Sequence, residues 1–419
     1  MRGTHGRPVA ITGIGVVAPN GIGRRSYWTN LLDGKSAVRH IEAFDASSYP
    51  TRIAAEVQDF RPLEFVSRRK GMTIGRFSQF AVAAARLALD DARLTITPRM
   101  ASRTTVCFGS SGGGEIFEQA ADGLKVGGVS AVRPWTALHY PPHAPSCHVS
   151  IEFGAKGRAL SVSSNCCTGL DAIATAVSEI AAGHADVALA GSTEAPISPA
   201  VFATFCALGA LSQRNDVPSE ASRPYDLLRD GLVVGEGAGA LILESLDAAR
   251  DRGATIYAEV KGYAAASEAL DMRKGDLSGT IMAGVLSDAI AAAGLISTNI
   301  DHVNAHGSSL PDFDVVDTNA FRNALGKHAY NIPISSIKSM IGQPFSASGT
   351  LQVAAACLAL AEQRVPPTIN QTVRDPRCDL DYVPNHARAC RVRNVLINAH
   401  GFGGGCAALV IGRPHDASG

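Results

Sequence analysis

The chain reads as an α/β protein on three observations. Apolar, β-rich runs that end in small polar or glycine residues recur along it, stretches of helical period separate them, and near Asp251–Ala254 the series begins again. The first series predicts strands over Val9–Val17, Thr104–Ser110, Ala159–Ser164, Asp186–Gly191 and Gly237–Glu244, with helices over Phe77–Ala92 and Leu170–Ala182. The second predicts strands over Ile256–Tyr263, Ile300–Ala305, Ile334–Ile337, Val395–Asn398 and Ala407–Ile411, with helices near Thr280–Ala293, Asp314–Leu325 and Thr350–Gln363. No linker separates the two by composition. They are expected to be two related halves, residues 1–252 and 253–419, of one body.

Composition narrows the function classes. With 419 residues, 46% of them hydrophobic and 18% charged, the chain is neither disordered nor a coiled coil. Lys+Arg and Asp+Glu are both 38, so no global basic field exists to hold nucleic acid or an anionic membrane. Apolar runs such as Val353–Ala361 are far shorter than the roughly 20 residues of a membrane span, and no signal-peptide core opens the chain, so a cytoplasmic setting is expected. The nine cysteines are scattered without a C-x-x-C pair, which argues against zinc and redox sites and for buried small hydrophobes.

The chemistry gathers at strand ends. Ser161–Asp171 carries Cys166 and Cys167 between an apolar strand and an amphipathic helix. A thiol at a helix start meets oriented amides and the positive dipole end, which favour thiolate and supply a donor for an oxyanion. Locally, a nucleophile and a turn with two core cysteines are both open. The second half adds His306 in Val303–Ser309, Lys338 and Gln343 in Ser335–Gln343, and the glycine-rich turn of Asn398–Gly405. Strand C-termini in α/β sheets converge on one site, so four such ends point to a shared centre. Gly13-Ile-Gly15 and Ser110–Gly114 lack dinucleotide or P-loop spacing and read as backbone turns. His302 and His306 share no helical face and do not read as a metal pair.

Taken together, these segments resemble a condensing enzyme of the thiolase superfamily, an elongating β-ketoacyl-acyl carrier protein synthase of type II pathways. The likeness runs from Val9–Pro19 through Leu211–Asp216, Arg223–Gly231 and Gly235–Gly239 to the four site segments. It implies a five-layer αβαβα thiolase fold. It also implies Cys166 as the acylated nucleophile, the amides of Cys166 and Phe402 as oxyanion hole with Phe402 as gate, and His306 as the histidine that assists malonyl decarboxylation. Lys338 matches the supporting lysine, Asp317 falls where a glutamate pairs with it, and Ser308 and Ser309 match the turn that contacts the phosphopantetheine arm. No metal or cofactor of its own is implied, since that arm belongs to an acyl carrier protein. A dimer is implied, either a homodimer or a heterodimer with a ketosynthase-like chain-length factor.

Three departures accompany the likeness. Gln343 stands where the second histidine is usual, Leu310 replaces a threonine, and Cys406 a polar residue. A glutamine can donate to a thioester carbonyl but carries no proton at neutral pH. Decarboxylative condensation is therefore the first reading; a non-decarboxylating acyltransferase using acyl-Cys166 and a chain-length partner subunit are the alternatives. The run Arg68–Lys70 with Arg76 is either a solvated face or a basic docking surface for the carrier.

Overall fold

In the computed structural model, which describes residues 7–71 and 73–414, the two series build one eleven-stranded mixed sheet. The first contributes β1 (Val9–Ala18), β2 (Thr104–Gly109), β3 (Ala159–Val162), β4 (Val187–Glu194) and β5 (Gly237–Ser245). The second contributes β6 (Ala258–Ser267), β7 (His302–Asn304), β8 (Ile334–Ser335), β9 (Asn394–His400) and β10 (Gly405–Gly412). Gly21–Ile22 turns back on β1 as the eleventh strand. The order is β8-β7-β9-β10-β6-β1-β5-β4-β2-β3, so each half repeats the same arrangement, third-second-fourth-fifth-first, and the halves meet where β1 runs antiparallel to β6. That joint holds only three register pairs, Val9 with Val260, Ala10 with Glu259 and Ile11 with Ala258.

Nine longer helices accompany the sheet among the described residues: α1 (Arg24–Leu32), α2 (Arg76–Ala92), α3 (Gly114–Gly127), α4 (Ala144–Phe153), α5 (Thr168–Ala181), α6 (Pro199–Leu208), α7 (Thr280–Ala292), α8 (Pro311–Leu325) and α9 (Ser348–Glu362). Strand alternation sorts them into layers. On β5, Leu241 and Leu243 face a central core with Leu170 and Ile173 of α5 and Leu351 and Ala355 of α9, while Ala240 and Ile242 face an outer core with Phe77 and Phe80 of α2. On β9, Val395 and Ile397 face the central core, and Leu396 faces α7 and α8 through Leu286 and Phe321. Helix, half-sheet, paired helices, half-sheet, helix is the five-layer α/β arrangement expected of the thiolase fold.

Phe345–Glu362 is long and apolar enough to cross a membrane, yet 89% of it is buried, because α9 lies inside the central layer. Gly13 and Gly15 are not in a turn. They lie within β1, where a Cβ would come within 2.3 Å of the Ala88 carbonyl oxygen or 1.8 Å of that of Ala84, so they let β1 press against the backbone of α2. The series α3, α4 and α6 is the part least expected from periodicity; α4 and α6 have weak amphipathic patterning, and α3 buries no residue fully.

Candidate active site

Cys166 lies in a tight turn that joins β3 to α5. The turn, Asn165–Cys167, is a single 3₁₀ turn, and α5 itself begins at Thr168, so the cysteine precedes the helix instead of opening it. Asn165 takes φ +53°, a left-handed conformation that asparagine tolerates better than most residues. Its amide then serves both sides of the site. Nδ2 donates to the Phe402 carbonyl at 2.9 Å, and Oδ1 lies 3.4 Å from the Cys166 sulfur. Among the described residues no other backbone group accepts the Phe402 amide, while the Cys166 amide is turned to its own thiol. Gly401 permits their approach: a Cβ there would lie 2.8 Å from Cys166 Sγ.

The two cysteines face different surroundings. Cys166 packs with Phe202, Phe345, Leu310 and Phe402, whereas Cys167 belongs to the central core and its thiol points to the Ala399 carbonyl at 3.3 Å. Beside the first group opens a cavity of about 530 Å³, walled in part by Asn165, Phe402, Phe117, Tyr140 and the stacked pair Phe205–Phe345, whose centroids are 4.6 Å apart. The buried carboxyl of Glu194, which burial pushes above its usual range, also lines it. Burial pushes the Cys166 thiol up to about 12, although the Lys338 charge and a hydrogen bond from Gln343 pull the other way. Contrary to the expectation from a helix start, burial favours the neutral thiol at Cys166 over the thiolate.

The second half brings its residues to this thiol. Gln343 Nε2 donates to Cys166 Sγ at 3.2 Å, and the glutamine backbone is clamped, its N–H giving 2.7 Å to the Val233 carbonyl and its own carbonyl receiving Gly235 N–H at 3.0 Å. Its Oε1 is buried without a partner among the described residues. His306 follows β7; its N–H donates to Asn398 Oδ1 at 2.9 Å, and its carbonyl accepts Lys338 Nζ at 2.6 Å. Burial and the charges of Lys338 and His400 push His306 well below the usual imidazole value, so it stands neutral. Burial likewise brings Lys338 down to about 8, opposed by Cys166, Asp317 and Asp314.

Two expectations are corrected here. Asp317 does not pair directly with Lys338; it is fully buried and its carboxylate accepts four other donors. These are Tyr225 OH at 2.9 Å, Gly307 N–H at 2.8 Å, Asn398 Nδ2 at 2.7 Å and His400 Nε2 at 3.0 Å. Burial works upward on it, but His400 and these hydrogen bonds hold it below the usual carboxylate range. Lys338 turns instead to the His306 carbonyl and to Gln352 Oε1 at 3.3 Å. Arg76 is not part of a solvated face; it forms two hydrogen bonds to Glu236, at 2.6 and 2.9 Å, and lies over the Phe80 ring. Arg68 is exposed, while the side chains of Arg69 and Lys70 lie outside the described residues.

Ser308 and Ser309 are buried in the turn after His306, both amides donating to Asp314 Oδ1, and the Ser309 hydroxyl accepts the Arg223 N–H at 3.1 Å. Sequence reasoning missed Asn165, His400 and Gln352. Asn165 had a signal, an asparagine at the one position of the elbow that needs positive φ. Gln352 had none, since in sequence it is one polar residue on an apolar helix; in space its Nε2 donates to the carbonyls of Asn304, Ala305 and Asn398 and ties β7 to β9.

A thiol able to hold an acyl group, with donors from the opposite half placed beside it, suits an enzyme that transfers acyl groups through cysteine. The chain belongs to the β-ketoacyl synthase family: the model of its N-terminal domain matches residues 6–249 and that of its C-terminal domain residues 257–372. It is 40% identical to the 3-oxoacyl-[acyl-carrier-protein] synthase 2 of Coxiella burnetii, over 98% of this chain and 99% of that protein. It is 42% identical to the ketoacyl synthase alpha subunit of the tetracenomycin polyketide synthase of Streptomyces glaucescens, over 97% of each. Among solved structures it is similar to a β-ketoacyl synthase from Burkholderia phymatum, with TM-score 0.91, 35% identity and coverage of 98% and 100%. A ketosynthase solved in complex with its type II polyketide acyl-carrier protein has TM-score 0.90 and 34% identity, with coverage of 98% of this chain and 100% of that one.

Proposed function

We propose that this protein is a β-ketoacyl-acyl carrier protein synthase of a type II fatty acid or polyketide pathway, and that Gln343 and His306 replace the usual pair of histidines in holding the malonyl thioester. The observation that carries this reading is the Gln343 amide 3.2 Å from Cys166 Sγ. An acyl group passes from its carrier to Cys166, its carbonyl oxygen facing the Cys166 and Phe402 amides. Malonyl-carrier then loses carbon dioxide, the enolate oxygen is met by neutral donors from Gln343 and His306, and the carbanion attacks the acyl-cysteine. The cavity beside Phe402 receives the acyl chain, and Ser308 stands on the path of the phosphopantetheine arm. That arm comes with the carrier, and the chemistry asks for no cofactor of the chain's own.

The carrier docks at a basic surface that includes Arg68, in a cytoplasmic setting. A second ketosynthase-like chain covers the edge strand β3 and the exposed Phe117, Val126, Val129 and Leu138; unpaired strand edges and large apolar side chains together support such an association. Incubation with acyl-carrier and malonyl-carrier tests the reading: carbon dioxide and a β-keto product are expected. Acylation of Cys166 with no carbon dioxide released would refute condensation.

A further inference from the structure

His400 has no part in the mechanism above, yet it is buried at the end of β9, directly before the glycine that touches Cys166. Its ring lies against that of His306, centroids 4.5 Å apart, and stacks on Phe313 at 5.1 Å. Its Nε2 meets Asp317 Oδ1 at 3.0 Å. We propose that His400, anchored by Asp317, is a positioning and proton-holding residue of this centre, the second imidazole that position 343 does not supply.

The need for such a group follows from the acylation step, and the inference rests only on the acyl-cysteine part of the proposed function. Acylation forms the bond between Cys166 Sγ and the acyl carbon and breaks the carrier's sulfur–carbon bond. The thiol proton must pass from Sγ to the departing carrier sulfur; nothing is oxidised or reduced. Gln343 has no proton to exchange at neutral pH. His306, enclosed beside Lys338, retains a proton poorly. A positive charge on His400, in contrast, is met at hydrogen-bond distance by a buried carboxylate. Two imidazoles in ring contact repel when both are charged, and only the His400 ring has a carboxylate, Asp317, at hydrogen-bond distance to meet a charge the pair takes up. The proton that leaves Sγ is held by the His306–His400 pair while the tetrahedral adduct collapses, its charge facing Asp317, and then passes to the carrier thiolate. Asp317 is well placed to hold the pair in register, because it also fastens Asn398 on β9 and Gly307 beside His306.

The test compares the parent with His400→Gln, which keeps an N–H for Asp317 without a titrating ring, and His400→Phe, which keeps the ring contacts with His306 and Phe313. Single-turnover acylation of the full chain by acyl-carrier, followed by intact mass, is the readout, with thermal melting as the check on folding; His400→Asn stands in for the glutamine variant should that one not fold. Both variants are expected to acylate more slowly by about 10²-fold or more, the range of general acid–base assistance, with the half-saturating carrier concentration unchanged. A folded His400→Gln acylating within threefold of the parent would overturn the inference, since a purely structural hydrogen bond to Asp317 is rescued by the amide. If the parent acylates but releases no carbon dioxide from malonyl-carrier, condensation fails as a reading while the acylation comparison still decides the role of His400.

Discussion

Removing the Gln343 side chain probes the side-chain hydrogen bond that the second half gives to the Cys166 sulfur. In Gln343→Ala the backbone clamp to Val233 and Gly235 persists, so the change is confined to the amide. What disappears is a donor 3.2 Å from Cys166 Sγ and a buried Oε1 with no partner among the described residues. Loss of one preorganised donor to a developing oxyanion typically costs about 10²–10³ in rate, or about 2.7–4 kcal/mol. Loss of the unpaired carbonyl removes a burial penalty of about 1–3 kcal/mol, which offsets much of the cavity left behind. The variant should therefore melt close to the parent, acylate Cys166 at nearly the parent rate, and release carbon dioxide from malonyl-carrier about two to three orders of magnitude more slowly. Intact mass after exposure to acyl-carrier measures the first chemical step, and trapped labelled carbon dioxide the second. Decarboxylation at the parent rate in a folded Gln343→Ala would refute the placement of the amide on the malonyl carbonyl.

An acyl-mimicking electrophile such as chloroacetyl thioester should label Cys166 and spare Cys167, whose thiol is turned to the Ala399 carbonyl in the core; peptide mapping that finds the label on Cys167 alone would reverse the assignment. Gly401→Ala forces a methyl group to 2.8 Å from Cys166 Sγ and 3.1 Å from its Cβ, so it should cost about 1–3 kcal/mol by denaturant titration and abolish acylation. Lys338 has a folded pKa of about 8, below its unfolded value of about 10.4, so between those values the unfolded chain binds more protons and the lysine's contribution to stability rises with pH. The stability of the parent relative to Lys338→Met should accordingly increase from pH 8 to 10, and a flat difference would show that the folded pKa is not depressed. Reversing Arg68, Arg69 and Lys70 to Glu should raise the carrier KM at low salt and leave kcat unchanged; an unaltered KM would remove this segment from the docking surface.

How much was visible in the residue string depended on whether a feature is local. The strands of both halves follow from β-rich runs, and β1, β2 and β5 begin and end within a residue of their expected limits, since a buried strand declares itself by composition. Ile334–Ile337 did not run to its expected length; Lys338 starts a short helix that turns its side chain back beneath His306. Cys166, His306, Lys338 and Gln343 were legible because they stand in short polar or glycine-bearing segments after apolar strands and match the motifs that the resemblance supplies. What could not be read was who meets whom. Asp317 and His400 are far apart in sequence, and their pairing depends on α8 packing beneath β9, a tertiary fact that no spacing rule contains. The thiol's protonation state was misjudged for a related reason: dipole arguments are local, while the burial that outweighs them belongs to the whole fold.

The facing glycines of α5 and α9 carry a wider consequence. A Cβ on Gly169 would lie 2.6 Å from the Thr350 N atom and one on Gly349 would lie 2.7 Å from that of Leu170, so the two central helices touch backbone to backbone in their first turns. Three residues before Gly169 stands Cys166, and six before Gly349 stands Gln343, whose amide donates to its sulfur. On the proposed function the repeated halves divide the labour: one carries the sulfur, the other the groups that act on it. On that reading the working site lies on the seam of an internal duplication, and substitutions that merely thicken the seam, such as Gly169→Ala or Gly349→Ala, should silence the enzyme while leaving every reactive side chain in place.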